Sequence, residues 1–241
     1  MKKYIGFVAI SAFLFSCADD TRDNQYDERA VNYIGKSSSS SVPSSGSLGG
    51  GYSGSYGSVT YEDQTYRTVV IGTQTWMAEN LNYNTGNSAC YNCDEYGRLY
   101  DWAKAMALPS SCNDNSCSSQ IQPKHKGICP SGWHIPSDAE WSVLETTVGG
   151  SSTAGTKLKA VSGWNSNGNG TDEFGFSALP GGHSQPAGGF SYVGDSGYWW
   201  SATEYNASGA YIRYMNHYAG SVYRSSGSKS LQYSSVRCVQ D

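Results

Sequence analysis

Glu204, just after the run "GYWWSAT", is the carboxylate best placed among aromatic side chains in this 241-residue chain. Glycoside hydrolysis needs a second carboxyl group about 5 to 10 Å away, and Asp195 and Asp172 are the candidates, with nothing in the spacing to select either. A few residues on, "AYIRYMNHYAG" places Ile212, Tyr214, Asn216 and Tyr218 on one face of a strand, and Tyr211, Arg213, Met215 and His217 on the other. An edge or outer strand mixing Tyr, Arg, Asn and His can stack on a sugar ring and hydrogen-bond its hydroxyls. Tyr211, Arg213, Tyr214, Asn216, His217, Tyr218 and Glu204 are therefore the candidate ligand-binding set, with an ordinary solvated strand as the plain alternative. The loop "NSNGNGTDEFGF" gathers Asn165, Asn167, Asn169, Asp172 and Glu173, hard oxygen donors of the kind calcium takes. The same residues serve equally well in turns that fold the loop on itself.

The cysteines carry a second line of chemistry. Setting Cys17 aside leaves Cys90, Cys93, Cys112, Cys117, Cys129 and Cys238, an even number that suits disulfides in an exported chain. Six cysteines allow fifteen pairings, and spacing does not choose among them. The pattern Cys90-x2-Cys93 followed by Cys112-x4-Cys117 also approaches a four-thiolate zinc site, although an oxidising compartment argues for disulfides. Metalloprotease, nucleophile-elbow, P-loop and dinucleotide motifs are all absent, and His134 in "GWHIPS" reads as packed or capping.

These residues need elements to hold them. "VTYEDQTYRTVVIGTQTWM" alternates and breaks at Asp63–Gln64 and at Gly72, which predicts two strands and tight turns. "GRLYDWAKAMAL" predicts a helix over 97–108 with Leu99, Trp102, Ala103 and Met106 on one stripe. In "PSDAEWSVLETTVGG", Ser137 is the N-cap, Glu140 closes a capping box and Gly149–Gly150 stops the helix, with Trp141, Leu144 and Val148 turned to the core. A shorter helix is predicted over 154–161, burying Leu158 and Val161 and leaving Lys157 and Lys159 in water. Residues 164–189 read as a long ordered loop region. After it, strand-like segments alternate with the turn pairs Ser208–Gly209, Ala219–Gly220 and Ser226–Gly227. The fold class is α+β: two main helices, a twisted antiparallel sheet and much irregular chain.

The ends set the address. "MKKYIGFVAISAFLFSC" has two lysines and an apolar run too short to span a bilayer as a mature helix, as an export signal does. It resembles a bacterial lipoprotein signal over residues 1–16, which implies that Cys17 is the lipidated first residue of the mature chain. "ADD" after Cys17 lacks the immediate Asp that resembles an inner-membrane retention signal, so the implied address is the outer membrane, and the acidic start resembles surface-export signals, which implies that the domain faces outward. Residues 17–58, acidic and then Ser/Gly-rich, read as a flexible tether of about forty residues with a root-mean-square span on the order of 35 Å. Residues 59–241 form one domain, and a net charge of −4 with no basic tract excludes a nucleic-acid partner.

The blocks "IGTQTWMAENLNY", "YGRLYDWAKAM", "CPSGWHIPSDAEW", "AGTKLKA", "NGTDEFGFSALPGG", "GYWWSATE" and "SVRCV" resemble the Fibrobacter succinogenes major paralogous domain family from about Val69 to the end. The resemblance implies a C-type lectin-like fold, similar to that of formylglycine-generating enzyme domains, with paired terminal strands and a long loop region resting on a small sheet. It implies a Cys129–Cys238 bridge and a local Cys112–Cys117 pair, while Cys90 and Cys93 depart from the family spacing. It also implies that one tryptophan of Trp199–Trp200 enters the main core and the other supports the loops. Together these features predict a non-catalytic binding or adhesion module for polysaccharide or another envelope component, with calcium as the candidate cofactor. The alternatives are a polysaccharide hydrolase using Glu204 and a protein-binding scaffold of the outer membrane.

Overall fold

The computed structural model describes residues 51–241. The signal segment, Cys17 and the tether up to residue 50 lie outside the described residues. The domain opens with β1 (Gly57–Tyr61), β2 (Gln64–Ile71) and β3 (Gln74–Met77), followed by α1 (Cys93–Tyr96), β4 (Leu99–Tyr100) and α2 (Trp102–Ala105). Its middle holds β5 (Trp133–His134), α3 (Asp138–Thr147) and α4 (Ser151–Leu158). The last third is strand-rich: β6 (Gly181–Ser184), β7 (Phe190–Val193), β8 (Ser196–Glu204), β9 (Gly209–Asn216), β10 (Tyr223–Ser228), β11 (Ser234–Ser235) and β12 (Val239–Gln240).

One sheet runs β1-β2-β3-β12-β5, so the opening strands and the final strand lie side by side. The sequence predicts two opening strands and the structure has three. Glu62 and Asp63 both take left-handed φ (48° and 60°) and reverse the chain in two residues, and Gly72 (φ 61°) does so again. The second sheet runs β10-β9-β8-β11-β4, with β6 on the same edge of β8 as β11 and β7 paired to β6. β6 and β8 meet at Gly182 and Gly197, where a side chain on Gly197 would run into the Leu179 carbonyl and the Trp199 ring. The architecture is α+β and mostly sheet, with few helices.

The core lies on both sides of β8. Trp199 and Trp200 are both fully buried, on opposite faces. Trp200 packs with Tyr100, Trp102, Met106, Ile212 and the cysteines of two bridges. Trp199 packs with Trp76, Trp141, Met215, and with Trp164 and Phe176 of the loop region. Each indole N–H finds an acceptor, Trp199 at Asn80 Oδ1 (2.8 Å) and Trp200 at the Tyr100 carbonyl (2.7 Å), so neither burial leaves an unpaired donor.

α3 forms as its sequence predicts, with Ser137 Oγ accepting from the Glu140 amide and the Glu140 carboxylate accepting from the Ser137 amide. Other expectations are corrected. The helix over 97–108 shrinks to one turn, because Leu99 and Tyr100 pair with Ser235 and Ser234 and Asp101 caps a new start at the Lys104 amide. α4 begins at Ser151 and ends at Leu158, where Lys159 turns extended (ψ 140°). That turn reverses which side chains face inward: Lys159 is 3% exposed and Val161 is 45% exposed, the opposite of the helical expectation. The Lys159 ammonium donates to the Asn216 and Ala219 carbonyls and sits over the Trp164 ring. Ser226–Gly227 is no turn but part of β10, opposite Tyr211 and Ala210. The packed chain also starts before residue 59, since Tyr52 and Tyr56 rest against the Trp199 side of the core.

All six cysteines of the domain are bridged: Cys90–Cys93, Cys112–Cys117 and Cys129–Cys238. Disulfides, not a four-thiolate zinc site, thus account for Cys90, Cys93, Cys112 and Cys117. The Cys129–Cys238 bridge joins the approach to β5 with the approach to β12 across 109 residues.

Candidate functional site

β9 carries most of the candidate ligand residues, and it is not an edge strand: β8 and β10 flank it, and β10 forms the edge. Burial on both faces divides its side chains between two jobs. Arg213 is wholly buried against α3, donating to Glu145 and Asp138 carboxylates, the Asp138 carbonyl and Ser142 Oγ. Arg224 of β10 completes the cluster on Asp138 while lying 3.8 Å over the Tyr211 ring. Burial alone would raise the Asp138 carboxyl, but the two guanidinium groups outweigh it and hold it below its ordinary value. Arg213 therefore fastens α3 to the sheet, and the Tyr211 ring carries the Arg224 that shares Asp138 with it.

The opposite face is built otherwise. Tyr198, Tyr214 and Tyr223 stand in register on β8, β9 and β10 and stack face to face, at 5.7 Å with a 25° tilt and 4.9 Å with a 15° tilt. Cross-strand aromatic pairs of this kind stabilise a sheet. The row continues through His183 on β6, 5.2 Å from Tyr198, to Tyr192 on β7, 5.6 Å from His183. Over Tyr198 and Tyr214 opens a cleft of about 430 Å³, also lined by Tyr192, Asp195, Asn216, His217, Tyr218 and Ser225.

The cleft combines ring surface with spare hydrogen-bonding capacity. Tyr192 is 57% exposed and Tyr218 is 75% exposed. Asn216 accepts from Ser196 Oγ (2.7 Å) and donates to the Tyr218 hydroxyl (2.9 Å), which positions that ring. Asp195 accepts from Asn165 Nδ2 at Oδ1. His217 Nδ1 is 3.4 Å from the same oxygen but has no hydrogen-bond partner among the described residues. Burial raises the phenol pKa of Tyr198 and of Tyr214, so both remain protonated donors. Such a cleft can seat an uncharged polyol on aromatic surface. The sequence singles out Tyr214, Asn216, His217 and Tyr218 here. It does not single out Tyr192, Tyr198 or Tyr223, whose alignment depends on strand register.

Glu204 lies elsewhere, in a larger cavity of about 610 Å³ that Glu140 also lines. Its Oε1 accepts from the Lys229 ammonium (2.6 Å) and the Cys117 amide (2.8 Å), and its Oε2 from Ser116 Oγ (2.7 Å). Burial would raise this carboxyl, but these donors together outweigh it and hold it below its ordinary value. A carboxyl held ionised is poorly suited to act as a general acid. Asp195 lines the tyrosine cleft instead, and Asp172 lines a third cavity beside Tyr52 and Tyr56, so neither shares a cavity with Glu204. His134 is packed, as expected, between Glu140 (2.8 Å) and Asp241 (2.7 Å).

The calcium candidates are each engaged differently. Asn165 donates to Asp195, Asn169 Oδ1 accepts from the Trp164 amide, and both Asp172 oxygens accept from Ser177. Glu173 accepts from Thr171 and lies 4.0 Å from Lys157, while Asn167 is exposed with left-handed φ. These contacts fold the loop on itself. Among the described residues no group of three or more His, Cys, Asp or Glu is placed to hold a metal, and no helix is long and apolar enough to cross a membrane.

Residues 69–240 match the model of the Fibrobacter succinogenes major domain. No curated protein and no solved structure matches the chain.

Proposed function

From the premise that the chain belongs to the Fibrobacter succinogenes major domain family, we propose that it is a non-catalytic binding and adhesion module that takes polysaccharide in the tyrosine cleft. The observation that carries this reading is the pairing of two exposed rings, Tyr192 and Tyr218, with the hydrogen-bonding groups of Asp195 and His217 over the Tyr198–Tyr214 floor. The lipoprotein-like signal with Cys17 supports an anchor in the outer membrane, displayed outward on the Ser/Gly-rich segment. The fold that accompanies this reading is C-type lectin-like. Its support is the terminal strands sharing one sheet, the Cys129–Cys238 bridge and the long irregular stretch after Trp164.

The hydrolase reading has less support, since Glu204 spends its oxygens on Lys229 and the Cys112–Cys117 loop. The test is retention of the full chain on immobilised plant and bacterial glycans, with and without a calcium chelator. The binding reading expects retention that Tyr218→Ala and Tyr192→Ala each weaken by about tenfold, equivalent to about 1.4 kcal/mol. No retention on any glycan would sink it and leave the scaffold reading. Release of reducing sugar that disappears in Glu204→Gln would establish the hydrolase instead.

A further inference from the structure

The cleft's shape and charge narrow the ligand further, on the footing of the glycan-binding reading just given. Because Tyr214 stacks between Tyr198 and Tyr223, Tyr198 and Tyr214 offer the cleft ring edges and hydroxyls, and Tyr223 carries the row past the cleft's own lining to the edge strand, at ring intervals of 5.7 Å and 4.9 Å. The most exposed rings lining the cleft are Tyr192 and Tyr218. The row crosses the strands and ends at β10, the edge of the sheet, where nothing among the described residues closes it. A site of this form does not enclose a single sugar. It repeats the same donor three times along a line of roughly 10 Å, two strand spacings, and a linear chain of about three pyranose units presents hydroxyls at a comparable repeat.

The charge is equally specific. The cleft is lined by one carboxylate, Asp195, and by neither lysine nor arginine. Arg213 and Arg224 point to the other face of the same strands and are held there by Asp138, and Lys159 spends its ammonium on the Asn216 and Ala219 carbonyls beneath the cleft. A uronate or sulfate would meet Asp195 with no lysine or arginine to offset the repulsion.

We propose that the cleft selects neutral, linear polysaccharide, bound along the chain across β8, β9 and β10, and discriminates against acidic glycans. Titration calorimetry of the full chain with neutral gluco-, manno- and xylo-oligosaccharides of increasing length, and with oligogalacturonates of matched length, tests this. Affinity for a neutral series is expected to climb to about three units and then level, with the matched oligogalacturonate at least about tenfold weaker. Asp195→Asn is expected to narrow that gap, and Tyr223→Ala to weaken long chains more than disaccharides. Full affinity for a monosaccharide or disaccharide, or equal affinity for oligogalacturonate, would overturn the selectivity while leaving glycan binding in place. If no oligosaccharide of either kind binds, the glycan reading itself fails.

Discussion

Glu204 and Arg213 look alike in the sequence, polar side chains among aromatic ones on adjoining strands, and both are spent on holding backbone in place. Lys229 is the clearer case of this economy. It is wholly buried, with its ammonium 4.4 Å above the Trp102 ring, and it donates to Glu204 and to the Cys112, Asn115 and Ala207 carbonyls. It thereby ties the Cys112–Cys117 loop to the β8–β9 turn. Lys229→Met would leave the Glu204 carboxylate with little solvent and no counter-charge, a change expected to cost about 3–5 kcal/mol. Urea unfolding should show the loss, and adding Glu204→Gln should restore part of it. Arg237 is a buried cation of another kind, bonded to Asn80 Oδ1 and the Ser177 and Phe176 carbonyls and lying over the Phe176 ring. Burial pushes its guanidinium down to about 9, so it stays charged at neutral pH.

Among the elements, α3 is the one whose local sequence and tertiary role agree most fully. Its capping box satisfies amides at the start, Trp141 and Leu144 enter the core, and Glu145 and Asp138 receive Arg213. Ser137→Ala should therefore lower stability by about 1 kcal/mol, read as a lower thermal midpoint without change in the glycan response. α2 shows the opposite relation. Its stripe predicts three turns, but the strand pairing of Leu99 and Tyr100 with β11 claims the first residues and only one turn remains. Helix propensity amounts to a few tenths of a kcal/mol per residue, which buried pairing of this kind readily overrides. The tyrosine row likewise belongs to the sheet and to no single strand, since it exists only when Tyr198, Tyr214 and Tyr223 fall in register.

For the molecule as a whole, closure depends on joining its late strands to its middle. The Cys129–Cys238 bridge spans 109 residues, and in the chain-entropy model a loop of about that size contributes about 4.7 kcal/mol. The Cys129→Ser/Cys238→Ser pair should lower the unfolding midpoint more than the equivalent change at Cys112 and Cys117, whose loop is short. The His134 cluster adds a pH dependence to the same closure. Burial alone would lower the His134 pKa, but its bonds to Glu140 and Asp241 outweigh burial and raise it. The stabilisation from charged His134 is thus complete below its ordinary 6.5 and is lost as the pH rises through the raised folded value. For Glu140 burial is again outweighed, by His134 and Ser137, and the carboxyl is held down at about 2; its contribution is complete above 4.5 and is lost as the pH falls toward that value. The thermal midpoint should peak between these limits, in mild acid, and His134→Gln should flatten the alkaline side of the profile. At the other end of the chain, metabolic labelling with a fatty acid should mark the wild-type protein and fail to mark Cys17→Ser if the anchor is as proposed.

What the sequence determined by itself were properties carried by neighbours in the chain: the cap and core face of α3, the reversals at Asp63 and Gly72, the α+β class, and the family blocks from Val69 onward. Capping, turn chemistry and alternation act over a few residues, so they can be read locally. The outcome of each long-range choice lay with the tertiary structure. It sent Arg213 inward to α3, buried Lys159 beyond the end of α4, gave Glu204 to Lys229, and aligned three tyrosines from three strands, two of them lining one cleft. Those outcomes turn on which partner offers a buried charge its counter-charge and which register a strand adopts, and both are decided by residues dozens of positions away.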